Sequence, residues 1–73
     1  MDDKAYLEAL GAKIKALRRA KNISQLELAQ KLGAKQHQEI GRIEAGTVNS
    51  TINMLRKIAG ELGVKVGELV EID

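Results

Sequence analysis

The chain has 73 residues, 44% hydrophobic and 30% charged, with a formal net charge of +2; that length suits one small domain, residues 1–73, rather than two. With no cysteine and one histidine, a disulfide framework, a thiolate zinc site and a histidine metal centre are all excluded, so no metal or cofactor is expected. Phe, Trp and Pro are absent and there is one Tyr, while helix-forming Ala, Leu, Lys, Glu and Gln abound, so the expected fold is all-α with an aliphatic core.

Met1 is followed by Asp2, Asp3 and Lys4 rather than by a basic and then apolar stretch, so no secretory leader is expected. Leu10, Ile14 and Leu17 recur at i, i+4 and i+7 with Lys13, Lys15, Arg18 and Arg19 between them. That spacing predicts an amphipathic first helix over residues 5–21, broken by Asn22 and Ile23. Ser24 followed by Glu27 is a capping box, in which each side chain satisfies a backbone N–H at a helix start. A second helix over 24–32 therefore carries Leu28, Ala29 and Leu32 and stops at Gly33. The third, 36–45, has Ile40 and Ile43 as its buried pair and Gly46 as terminator. Thr47 to Ser50 read as a polar loop. Thr51 is the N-cap expected for a fourth helix, 51–62, with Ile52, Leu55, Ile58 and Leu62 on its apolar face. Gly60 inside that helix costs about 1 kcal/mol relative to Ala, which suggests a close helix contact there. A short fifth helix over 66–72 contains Leu69 and Val70. The longest apolar run is three residues, far below the ~20 of a membrane span, and the chain is expected to be cytoplasmic.

Charge is unevenly spread. Residues 13–42 carry eight basic side chains against Glu27 and Glu39, whereas residues 61–73 carry four acidic ones against Lys65. A basic half with an acidic tail suits a domain that turns one face to a polyanion. The second and third helices sharpen that reading. Ala29 is small where helices must cross closely, and Gly33 permits a positive φ at the bend. With Ile40 and Ile43 inward, Lys35, Gln36, His37, Gln38 and Arg42 project outward, a polar set able to meet base edges. This is a helix-turn-helix.

Three stretches, IKALRRAKNISQLELAQKLG, IGRIEAG and INMLRKIAGELGVKVGEL, make the sequence resemble the phage-repressor and Cro type of helix-turn-helix, the xenobiotic-response-element family of bacterial regulators. The resemblance runs from about residue 10 to 70. It implies a compact five-helix, lambda-repressor-like domain whose third helix lies in the major groove of double-stranded DNA. It also implies that Gln25, at the start of the second helix, holds a phosphate, and that Arg18 and Glu44 form an ion pair across the bundle. Thr47 and Asn49 in the polar loop complete the DNA-contacting set. The family usually has one residue fewer after the turn glycine. Counted from Gln25, the leading base reader is Gln36; counted back from Glu44, it is His37. Ser50 stands where the family often has Pro.

The resemblance implies a sequence-specific transcriptional regulator acting as a homodimer on a palindromic site. Val66, Leu69, Val70 and Ile72, with Val64 nearby, exceed what one face of a short helix can bury, so they are the expected dimer contact. An antitoxin, a restriction–modification controller and a protein-interaction module that no longer meets DNA are the competing functions. An enzyme is not expected: His37 has no nucleophile and carboxylate around it, and there is no Gly-rich phosphate loop.

Overall fold

The computed structural model describes residues 2–33 and 37–72. Lys35 and Gln36 lie outside the described residues. Among the described residues five helices follow in order: α1 (Asp3–Ala20), α2 (Gln25–Lys31), α3 (His37–Ala45), α4 (Ile52–Leu62) and α5 (Val66–Val70). Their apolar faces meet in one aliphatic cluster, built on Leu10, Ile14, Leu28, Ile40, Ile43, Leu55, Ile58, Leu62 and Leu69 with Ala29 and Ala59 between helices.

Local chemistry sets most helix ends. Asp2 caps α1, its Oδ1 accepting from the Ala5 N–H at 2.7 Å, which starts the helix two residues earlier than its apolar periodicity suggests. At the other end, Asn22 takes a left-handed conformation, φ 59°. This lets Asn22 and Ile23 donate back to the carbonyls of Arg19 and Arg18, satisfying groups that a helix end leaves open. The Ser24–Glu27 capping box is complete, with Ser24 Oγ accepting at 3.0 Å and Glu27 Oε1 at 2.8 Å. Gly33 has φ 117° at the bend. Thr51 caps α4, accepting from the Met54 N–H at 3.1 Å.

Two glycines fix how α1 meets the end of α3. A Cβ on Gly11 would overlap the carbonyl oxygens of Ile43 and Glu44. A Cβ on Gly46 would lie 2.6 Å from Glu8 Cα, and Gly46 also needs its positive φ of 75° to close α3. Bare backbone on both sides is what allows the approach.

Three expectations are corrected. Gly60 is exposed, with no atom within 4 Å of a built Cβ. It lies two residues from both Ile58 and Leu62, on the side of α4 opposite the core. The fifth helix ends at Val70, not residue 72, where Glu71 turns to extended backbone, and side chains of α1 bond the carbonyls at that end. Tyr6 Oη donates to the Val70 carbonyl, and Lys13 Nζ to those of Glu68 and Glu71. Lys13 is thus a tether between helices. Finally, Leu69 is fully buried, and Val64, Val66, Val70 and Ile72 pack against the core. Leu69 is therefore core and not a dimer contact, while Val64, Val66, Val70 and Ile72 stay partly exposed around it.

The two helical glycines should respond in opposite directions. Gly11→Ala should lower stability by at least about 2 kcal/mol through backbone overlap, while Gly60→Ala should raise it by about 0.5–1 kcal/mol. Urea unfolding followed by circular dichroism checks both.

Candidate nucleic-acid interface

The α2–turn–α3 unit is held by a buried polar knot. Arg18 of α1 and Glu44 of α3 are 6% and 8% exposed. Arg18 Nε donates to Glu44 Oε2 at 2.7 Å and Nη2 to Oε1 at 3.0 Å, a two-point pairing that fixes orientation as well as distance. Arg18 Nη1 also donates to the Ile23 carbonyl at 2.8 Å. Gln25 Nε2 adds a third donor to the carboxylate, reaching Oε1 at 3.0 Å. The hydrogen bonds that Arg18 donates to Glu44 hold its guanidinium above its ordinary pKa, outweighing the opposing effect of burial. One carboxylate thereby ties together α1, α2 and α3, and a charge this deep is tolerable only with such partners.

With Ile40, Ile43 and Glu44 turned inward, the opposite side of α3 is left to solvent. Gln38 and Arg42, one turn apart, are exposed there with Ala45 a turn further on. Gly41 shares that side, and the Gln25 amide lies over it, its Oε1 3.5 Å from where a Cβ would stand. Small residues at 41 and 45 keep the surface low around the two long polar side chains. His37 is exposed at the first residue of α3. The face presents amide and guanidinium donors with no bulky apolar group, the chemistry that pairs with base edges and phosphates.

The residues singled out from sequence fall into three groups. His37, Gln38 and Arg42 are brought together on α3, with exposed Thr47 and Asn49 in the loop that follows. Thr47 Oγ1 donates to the Arg42 carbonyl at 3.2 Å, which fixes the loop against the helix. Gln25 is half-buried and committed to Glu44 through one amide N–H. Its bond to Glu44 was not anticipated; the matching signal, two residues 19 apart, is invisible to local periodicity. Lys35 and Gln36 are not described. Sequence reasoning also passed over Asn53, Arg56 and Lys57, which line an open groove on α4; on an amphipathic pattern they are merely its polar side.

The N-terminus of α2 is less available to an anion than its position suggests. Glu27 puts a carboxylate there, and the hydrogen bonds it shares with Ser24 hold its pKa below the ordinary glutamate value. Among the described residues, no group of three His, Cys, Asp or Glu is placed to hold a metal ion, and no helix is long and apolar enough to cross a membrane.

A family model described as helix-turn-helix matches residues 14–69, spanning α2, α3 and α4, the C-terminal part of α1 and most of α5. No curated protein matches the chain.

Two outcomes follow from the knot and the cap. Arg18→Met or Glu44→Leu alone should each cost about 3 kcal/mol, because the remaining partner is left buried and unpaired. The double variant should cost less than the two single losses combined, measured as a double-mutant cycle in urea. For Glu27, a lowered folded pKa means that its contribution is present at neutral pH and lost as acid protonates the folded carboxylate. Glu27→Gln should therefore flatten the decline of stability on the acid side of the ordinary glutamate range, measured by thermal melts across that range.

Proposed function

Since the chain belongs to the helix-turn-helix family, we propose that it is a sequence-specific transcriptional regulator that inserts α3 into the major groove. The family is one of DNA-binding regulatory domains, not of enzymes. In this reading, residues 1–73 act as one reading unit in the cytoplasm, and double-stranded DNA is the partner. Gln38 and Arg42 meet base edges, an amide pairing with adenine and a guanidinium with guanine. Thr47 and Asn49 contact the backbone beyond α3. Gln25 contributes the second N–H of its amide to a phosphate while the first stays on Glu44. Lys35 neutralises a phosphate ahead of α3, and one of Gln36 and His37 leads the helix into the groove.

The observation that carries this reading is the outward face of α3. Its long polar side chains stand on a helix whose inner face is fixed by Ile40, Ile43 and the Glu44 knot. Orientation is set before DNA arrives, so little ordering cost attaches to docking. One module touches few base pairs, and two copies on half-sites about one helical turn apart make a palindromic operator the expected target.

Selection of bound oligonucleotides from a random pool, followed by titration of variants on the selected site, tests this directly. Gln38→Ala and Arg42→Ala should each cost about 1–3 kcal/mol and relax preference at particular base pairs. Lys35→Ala should weaken all sequences alike and reduce the salt slope by about one. Unchanged affinity and preference in both Gln38→Ala and Arg42→Ala would remove α3 as the reader.

A further inference from the structure

We propose that the outer side of α4 is a second nucleic-acid contact, on which Arg56 and Lys57 grip the sugar–phosphate backbone of the duplex whose bases α3 reads. The inference rests on the DNA-binding reading above and adds to it a surface outside the α2–turn–α3 unit. Asn53, Arg56 and Lys57 stand at i, i+3 and i+4, on the side of α4 turned away from its buried residues Leu55, Ile58 and Leu62. All three are exposed, and together they line an open groove of about 390 Å³. The first turn of α4 holds no acidic residue; the first along the helix is Glu61, at its far end. Among the described residues the one ion pair joins Arg18 to Glu44, so no carboxylate neutralises Arg56 or Lys57. Gly60 follows on the same side, with no atom within 4 Å of a built Cβ. The helix surface beside the two cations is therefore bare and open to close approach.

Charge, spacing and position in the chain identify a duplex backbone as the occupant. Arg56 offers a planar fork and Lys57 a compact charge, both suited to phosphate oxygens. From Asn53 to Lys57 the helix rises about 6 Å, and a DNA strand brings one phosphate in about every 3.4 Å of duplex axis. The two cations therefore span neighbouring phosphates rather than a lone small anion. The surface also continues the one that leaves α3. Between Arg42 and Lys57 the chain has a single acidic residue, Glu44, and that one is buried against Arg18. Exposed Thr47 and Asn49 lie on the way, and the Thr51 cap starts α4 directly after them. The exposed acids Glu61, Glu68 and Glu71 come only afterwards, so the edge of the cationic surface falls at the end of α4. A backbone contact carries no base preference of its own; it fixes register and lengthens the DNA covered.

The test titrates the full chain onto random-sequence duplex and onto the selected site across a range of salt concentrations. Arg56→Gln and Lys57→Gln are exposed changes to another good helix former, and circular dichroism checks that each variant keeps its helices. Each should reduce the slope of log affinity against log salt by about one, and the double variant by about two, with base preference unchanged. Lys65→Gln removes another exposed cation, at the start of α5, and should leave the slope at the parental value. Ethylated phosphates outside the selected base pairs should interfere with binding of the parent and lose that effect on the double variant. A double variant with the parental slope and interference pattern, or a Lys65→Gln chain whose slope falls as far, would overturn the α4 surface. Loss of retention on polyglutamate at an unchanged DNA slope would overturn it too, and give the groove to an acidic protein. A pool that yields no preferred sequence, while both α4 variants still flatten the slope on random duplex, would instead overturn the sequence-specific reading of α3 and leave the α4 surface standing.

Discussion

The carboxylate of Glu44 is the constraint around which the three N-terminal helices are arranged. A buried charge is tolerable only if its oxygens are occupied, and here the donors come from Arg18 on α1 and Gln25 on α2. Arg18 spends a further N–H on the Ile23 carbonyl, so the α1–α2 turn is drawn into the same cluster. The aliphatic core supplies most of the driving force, but apolar contact is non-directional and tolerates small rotations. Hydrogen bonds to a carboxylate do not. They set the rotation of α3 about its axis, and therefore which side chains face outward. Gly11 and Gly46 serve the same end, since only bare backbone allows α1 close enough for Arg18 to reach.

The knot also changes how the charge map should be understood. Residues 13–42 carry eight basic side chains, yet Arg18 is neutralised inside the bundle and Lys13 is bonded to the end of α5. The cations free to act on a polyanion are fewer than composition suggests. A tally of basic residues measures attraction only after those held by the fold have been set aside. The same holds for apolar residues. The aliphatics of α5 look surplus in a linear count, whereas Leu69 is core and its neighbours cover it.

Features written in short-range chemistry were legible in the sequence. Ser24 with Glu27, Thr51 before α4, and Gly33 at the bend each act within a few residues, so spacing alone identifies them. Helix order and the inward Ile40–Ile43 pair follow from periodicity. The Arg18–Glu44 pair spans 26 residues, and its expectation came from family resemblance rather than spacing. Contacts with no such guide were missed: Gln25 to Glu44, Lys13 to the α5 carbonyls, Tyr6 to Val70. Each depends on how helices cross, which no local pattern records. Gly60 was misjudged for a related reason, because a glycine in a helix may mark a close crossing or an open side, and the crossing decides.

The seam between α1 and α5 has an optical consequence. Tyr6 is the sole aromatic residue, and its hydroxyl is bonded to the Val70 carbonyl, where the chain leaves its last helix. With no Trp or Phe elsewhere, near-ultraviolet absorbance and intrinsic fluorescence both arise from this one ring. The protein thus carries a native chromophore at one seam and none at the α3 face. A change in its emission reports whether the C-terminal helix is docked, and the α3 face can be titrated with DNA without a protein fluorophore standing in the contact.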